Sequence, residues 1–155
     1  MPDMLVKLYK LPDDRPLFSA LESEGITIHR ALAPDTLRVL DFVRDNFSEH
    51  WVSECMVALS SSPSRCFVAV KDRTVVGFAC YDATSRGFFG PTGVSKDLRG
   101  KGIGRALLNA TLGQMRNDGY GYAIIGSTEV CGFYEKCVGA TVIPDSSPGV
   151  YADMI

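Results

Sequence analysis

Glycines alternate with other residues in RGKGIG (residues 99–104), directly before a stretch with the apolar spacing of an amphipathic helix. Glycine weakens a helix by ~1 kcal/mol relative to alanine, so three glycines at a helix start indicate a backbone that something approaches closely. Unpaired N–H groups and the positive end of the helix dipole at such a start favour an anion, most often phosphate. The chemistry predicted for this stretch is therefore binding of a phosphate-bearing ligand.

Two common phosphate-binding motifs do not match the stretch. A P-loop needs serine or threonine after its Gly-Lys pair, whereas Gly102 follows Lys101 here. A dinucleotide-binding turn needs a third glycine where Leu107 stands, and a carboxylate about 20 residues on, where residues 123–125 have none.

A third motif fits. VSKDLRGKGIGRALL resembles the acetyl-coenzyme A signature R/Q-x-x-G-x-G/A of the GNAT superfamily of N-acetyltransferases, with Arg99, Gly102 and Gly104 at the motif positions. Downstream, FYEKCVGA (residues 133–140) is similar to the family segment F/L-Y-E-K-x-G-F. The resemblance covers residues 26–143 by the order of the predicted elements.

The chain departs from the family pattern near the second segment. Ser127 stands where the family often has asparagine, one extra residue precedes Gly139, and Ala140 replaces the usual phenylalanine. These departures concern coenzyme contacts near Ser127 and leave the tyrosine of the segment in place.

The resemblance implies that acetyl-coenzyme A is the acetyl donor. Its pyrophosphate would lie on the backbone of residues 99–104, and its pantetheine would enter between two splayed strands that end at Val94 and Gly126. The Val94 N–H is then the candidate donor to the oxyanion of the reaction. The residues expected to bind the coenzyme are Thr92, Gly93, Val94, Arg99, Gly100, Lys101, Gly102, Ile103, Gly104, Arg105, Ser127, Phe133 and Tyr134.

Acetyl transfer to an amine needs a base for the amine and an acid for the departing thiolate. Tyr134 matches the general acid of the family. Glu129 and Asp82 are the candidate bases, and a chain of water molecules is the alternative. Cys131 could form an acetyl-cysteine, but without a nearby histidine to lower its pKa it is interpreted as a structural thiol.

The sequence predicts the elements that must position these residues. Strands are expected at residues 5–8, 26–32, 66–70, 75–81, 87–94 and 122–126, and residues 142–143 and 149–155 could close the sheet. Helices are expected at residues 16–24, 34–47, 51–60 and 130–137 and after Gly104. A bulge or break is expected at Gly90 and Pro91, because proline cannot donate to a sheet ladder.

The fold class implied by the resemblance is a mixed α/β domain. Its mostly antiparallel central sheet has helices on both faces and a splayed strand pair for acetyl-coenzyme A. One domain of residues 1–155 is expected, with residues 1–25 as an accessory strand and helix and residues 26–155 as the core.

The composition argues against several classes of binding partner. The net charge of −2 argues against nucleic acid, and no apolar run approaches the ~20 residues that a membrane span needs. Five cysteines without a C-x-x-C pair and two distant histidines argue against a metal site. Without a signal-peptide pattern, a cytoplasmic location is expected.

The resemblance implies an N-acetyltransferase that moves an acetyl group from acetyl-coenzyme A directly to a primary amine, expected to be that of a small molecule. Trp51, Tyr81, Phe89 and Tyr151 are the aromatic side chains that could line the acceptor pocket. The alternatives are acetylation of a protein or peptide amine, and a catalytically silent regulatory domain that binds acyl-coenzyme A. A homodimer is compatible with the sequence.

Overall fold

One seven-stranded sheet forms the centre of the computed structural model, which describes residues 1–155. The strands are β1 (Met4–Lys7), β2 (Ile26–Arg30), β3 (Cys66–Lys71), β4 (Thr74–Tyr81), β5 (Phe88–Val94), β6 (Tyr122–Ile125) and β7 (Thr141–Val142). The helices are α1 (Arg15–Ser23), α2 (Thr36–Asn46), α3 (Glu49–Leu59), α4 (Ile103–Asn117) and α5 (Cys131–Val138). None of these helices is both long and apolar enough to cross a membrane.

The strands lie in the order β2-β3-β4-β5-β6-β1-β7, and all neighbours are antiparallel except β5 and β6. This order corrects the interpretation of residues 1–25 as an accessory. β1 lies inside the sheet between β6 and β7, and Met4, Val6 and Leu8 at the start of the chain are fully buried. The opening strand is therefore part of the core.

Helices cover both faces of the sheet, as expected for the fold class. One hydrophobic core lies under α1, α4 and α5 and contains Leu107, Leu112 and Tyr134. The other lies under α2 and α3 and contains Val43, Cys55 and Phe78. The helices can cover the sheet because each has one apolar face. In α4, for example, the buried residues are three and four positions apart, as in an amphipathic helix.

The predicted irregularity at Gly90 and Pro91 is confirmed. The register of β4 against β5 shifts between the pairs Ala79↔Thr92 and Tyr81↔Phe89, so β5 carries one extra residue at this point. This is a β-bulge, which bends a strand and increases its twist.

The end of the chain differs from the prediction. Residues 149–155 contain a 3₁₀ turn at Gly149–Tyr151 and no strand. The place beside β6 that a closing strand would take is held by β1. The last residues instead approach α3, where the Ile155 main-chain oxygen lies 3.0 Å from His50 Nε2.

Candidate functional site

The parallel strands β5 and β6 separate soon after they begin. Their register contains only the pairs Phe88↔Ile124 and Phe89↔Ile125, although β5 continues to Val94. We call the gap between residues 90–94 of β5 and the chain after Ile125 the opening. Its position matches the splayed strand pair predicted from the sequence.

Backbone N–H groups of β5 face the opening. The Ser95 N–H donates to the Val76 oxygen of β4, and successive residues of an antiparallel strand alternate in direction. The Gly93 N–H therefore faces β4, while the N–H groups of Thr92 and Val94 face the opening, where no strand pairs with them. The Val94 carbonyl accepts from Arg99 Nε at 3.2 Å. An extended ligand could thus add to β5 as a strand does.

Helix α4 begins at the end of the opening without a side-chain cap. Its N-cap residue, Gly102, has φ +90°, and Gly100 has φ +83°, a conformation that favours glycine. At Gly104 a Cβ atom would lie 3.7 Å from a Val94 methyl and 3.9 Å from the Phe133 ring. The absent side chain keeps free the space between these two residues, so this backbone is accessible to a ligand.

The charged side chains predicted to bind the coenzyme at the start of α4 have different surroundings. The Arg105 guanidinium is paired with Asp14, at 3.2 Å from Nε to Oδ2, and is therefore held toward α1. Lys101 is exposed and makes no ion pair or hydrogen bond. The Ile103 side chain is buried in the core, which leaves only its backbone N–H for a ligand.

Tyr134 lies beside the point where β5 and β6 separate. Its buried ring packs edge-to-face on Phe89, the last residue of β5 that pairs with β6, and on Phe133. Its hydroxyl has no hydrogen-bond partner in the protein. Burial raises the pKa of Tyr134 to about 12, so the phenol is protonated at neutral pH. In the resting protein it can therefore serve as a proton donor.

The two predicted bases have different surroundings. The Asp82 carboxylate accepts from the Gly87 N–H and the Tyr120 hydroxyl, each at 2.7 Å, and lies 3.9 Å from Arg65. Its contacts hold the turn between β4 and β5, and both its oxygens are occupied. Glu129 is exposed in the loop between β6 and α5 and has no partner.

The loop after β6 is fixed by the first residues of the chain. The Ser127 N–H donates to Asp3 Oδ1 at 2.8 Å, and Thr128 N–H donates to the Pro2 oxygen. Ser127 has φ +48°, an uncommon conformation that these bonds support. The Ser127 hydroxyl makes no hydrogen bond and remains available.

The predicted aromatic wall divides between the two faces of the sheet. Tyr81 and Phe89 are buried on the face of α4 and α5, where the Tyr81 hydroxyl donates to Asp118. Trp51 and Tyr151 belong to the opposite side, where Trp51 stacks on Phe47 with ring centroids 5.0 Å apart. Only Trp51 and Tyr151 can therefore line a pocket on the α2 and α3 face.

Sequence reasoning did not identify Glu54, which the structure brings close to Tyr151. The Thr84 hydroxyl donates to the Glu54 carboxylate. The pKa of the Tyr151 phenol is raised by burial and then by the Glu54 charge, while a hydrogen bond with Thr84 lowers it. The signal was present: Glu54 follows Trp51 by three residues and precedes buried Cys55, so it lies at the edge of the apolar face of α3.

The sequence model described as "Acetyltransferase (GNAT) family" matches residues 33–140. A comparison with curated proteins finds no match.

Solved structures share the fold. A GCN5-related glucosamine N-acetyltransferase region of a fungal multi-domain GH3 β-N-acetylglucosaminidase has a TM-score of 0.75 at 16% identity, covering 92% of this chain and 19% of that chain. A GCN5-related N-acetyltransferase from Sphaerobacter thermophilus has a TM-score of 0.70 at 23% identity, covering 92% and 48%. A GNAT family acetyltransferase from Brucella melitensis, solved in complex with acetyl-CoA, has a TM-score of 0.54 at 20% identity, covering 76% and 86%.

The chain thus spans less than half the length of the first two of these proteins. The family match covers more than half of the chain and includes β5, the glycine-led start of α4 and α5. The chain belongs to the GNAT acetyltransferase family.

Proposed function

We propose that this protein transfers an acetyl group from acetyl-CoA directly to a primary amine of a small molecule. The observation that carries the proposal is the opening between β5 and β6, where unpaired N–H groups of Thr92 and Val94 lead to the uncapped start of α4. An extended pantetheine arm that ends in a pyrophosphate has the shape and hydrogen-bonding groups for this path.

The residues at the opening have separate roles in this reaction. Backbone N–H groups of residues 99–104 would hold the pyrophosphate, with Lys101 as its exposed cation. The Val94 N–H would support the carbonyl oxygen as it gains negative charge. Tyr134, protonated and without a protein partner, would donate its proton to the departing thiolate.

A small amine is favoured over a protein amine by the aromatic side chains of Trp51 and Tyr151, which lie on the α2 and α3 face. The name of the fungal structural relative makes an amino sugar one reasonable first choice of acceptor.

Two measurements test the proposal. Calorimetry with acetyl-CoA measures binding, and a thiol-reactive dye measures CoA release with glucosamine, 1,4-diaminobutane and a lysine-containing peptide as acceptors. We expect tight binding and thiol release that depends on one of the small amines. Binding without release for any amine would instead favour the regulatory domain that binds acyl-CoA, and release with the peptide alone would contradict a small acceptor.

A further inference from the structure

We propose that Glu54 binds the ammonium group of the acceptor and accepts its proton, with Tyr151 beside it as a positioning residue. The inference rests on the proposed function and assigns the base that the reaction needs. It places the acceptor on the face of the sheet opposite Tyr134. The acceptor class is then a primary amine that is positively charged in solution.

The Tyr151 hydroxyl lies against Gly126, where β5 and β6 separate. A Cβ atom at Gly126, the residue that follows β6, would collide with the Tyr151 hydroxyl and lie 3.0 Å from the Phe88 ring. Phe88 and Phe89 are adjacent in β5, so their side chains point to opposite faces of the sheet. Phe89 packs on Tyr134. Tyr151 and Tyr134 therefore approach the separation of β5 and β6 from opposite faces.

The Glu54 carboxylate has one hydrogen-bond partner and no ion pair. One carboxylate oxygen accepts from the Thr84 hydroxyl, and the other has no hydrogen-bond partner. Glu54 is half-buried and forms no ion pair with any lysine, arginine or histidine of the chain. A cationic ligand would supply the counter-ion that the chain itself does not provide to this carboxylate.

The charged groups around Tyr151 also favour a positively charged ligand. Burial raises the pKa of the Tyr151 phenol, and the carboxylates of Glu54 and Asp3 raise it further, while Thr84 lowers it. Both carboxylates therefore lie near enough to the phenol for their charges to act on it. Such a site attracts a cation, and the neutral phenol oxygen can accept a hydrogen bond from an ammonium group.

The reaction balances with these residues. The ammonium proton moves to the Glu54 carboxylate, and the freed nitrogen lone pair forms the C–N bond at the thioester carbonyl. The C–S bond then breaks, and the thiolate takes the proton of Tyr134. The new amide nitrogen loses its extra proton to the Tyr134 phenolate, and Glu54 returns its proton to solvent. The net products are an N-acetyl amine, CoA thiol and one proton.

Glu54→Gln tests the assignment, with Glu49→Gln as the matched control because Glu49 is an exposed carboxylate on the same helix. The assay uses the amine of the panel above that the parent protein acetylates fastest. We expect Glu54→Gln to lower kcat/KM for that amine by ~100-fold or more, the range of a lost general base. Acetyl-CoA affinity by calorimetry should stay within about two-fold, and Glu49→Gln should behave as the parent.

A second variant, Tyr151→Phe, removes one hydroxyl. It should raise KM for the amine about ten-fold with a smaller effect on kcat, a split that a purely structural residue would not produce. Parental kcat/KM in Glu54→Gln, or parental KM in Tyr151→Phe should Glu54→Gln not fold, overturns the inference while the acetyltransferase stands. A parent protein that binds acetyl-CoA and releases no thiol with any amine overturns the proposed function, and the role of Glu54 with it.

Discussion

Tyr134 is the residue whose surroundings most directly suggest a catalytic role. Its ring is buried between Phe89 and Phe133, while its hydroxyl makes no bond that holds the fold together. We therefore expect Tyr134→Phe to fold normally, to bind acetyl-CoA with nearly parental affinity, and to lose ~100-fold or more in turnover. Steady-state thiol release and calorimetry measure the two effects separately.

Tyr122→Phe is the matched control, because Tyr122 is exposed and its hydroxyl is 3.5 Å from that of Tyr9, far weaker than an ideal hydrogen bond. It should retain parental turnover. A Tyr134→Phe protein with near-parental turnover, when chemistry limits the rate, would make Tyr134 a packing residue and leave the thiolate to depart unaided.

The raised pKa of Tyr134 also predicts a dependence of stability on pH. The folded-state pKa is about 12 and the ordinary value is 10.0, so the unfolded chain loses this proton first as the pH rises. The contribution of the neutral phenol is therefore complete below pH 10 and is lost between pH 10 and pH 12. Two pKa units correspond to about 3 kcal/mol.

Denaturant unfolding of the parent and of Tyr134→Phe at pH 8 and pH 11 measures this contribution. The parent should lose more stability than the variant between the two pH values, because phenylalanine has no proton to lose. Equal losses would show that the Tyr134 hydroxyl is solvated and that its pKa is ordinary.

At the scale of elements, a substitution at the start of α4 can change coenzyme binding without changing the stability of the fold. A Cβ atom at Gly104 would make only ordinary contacts with Val94 and Phe133, so Gly104→Ala should fold with unchanged or slightly higher stability. The new methyl would narrow the space over the helix start, and acetyl-CoA affinity should fall ~10-fold or more, about 1.4 kcal/mol. Calorimetry with the folded variant measures this, and parental affinity would remove the basis for placing the coenzyme at α4.

Gly102→Ala is the contrasting variant. Gly102 has φ +90°, and a Cβ atom there would lie 2.7 Å from a Leu17 methyl of α1. This substitution should cost ~1 kcal/mol or more in folding, which thermal unfolding would detect. A loss of binding in Gly102→Ala is therefore ambiguous, whereas a loss in Gly104→Ala is not.

Much of the local geometry around the candidate site was predictable, because local rules govern it. The glycines before α4, the proline at position 91 and the tyrosine of α5 act through their own backbone and side chains. The pairing of Arg105 with Asp14 was not predictable in this way. It depends on α1 packing against the start of α4, a contact between residues 91 positions apart.

At the scale of the whole molecule, sheet order was the part that the sequence could not supply. Residues 4–7 alternate as a strand should, but their alternation does not state which neighbours they pair with. The structure pairs Met4 with both Ile125 and Val142, which lie more than 100 residues away. The same limit hid the surroundings of Glu54, because Thr84 and Tyr151 come from distant parts of the chain.

The position of β1 gives a prediction for the stability of the whole sheet. Val6 is fully buried between β6 and the core, whereas Lys7 beside it is exposed. Val6→Ala removes two methyl carbons and leaves a cavity, so it should lower the free energy of unfolding by ~2 kcal/mol, while Lys7→Ala should change it by less than about 0.5 kcal/mol.

A chain that begins at residue 26 should fail to fold cooperatively, because β6 would lose its antiparallel partner and β7 its only one. Urea unfolding followed by tryptophan fluorescence of Trp51, across the sheet from this strand, measures whether the loss reaches the other core. Equal, small effects of Val6→Ala and Lys7→Ala, or a truncated chain with a parental unfolding midpoint, would return residues 1–25 to the status of an accessory.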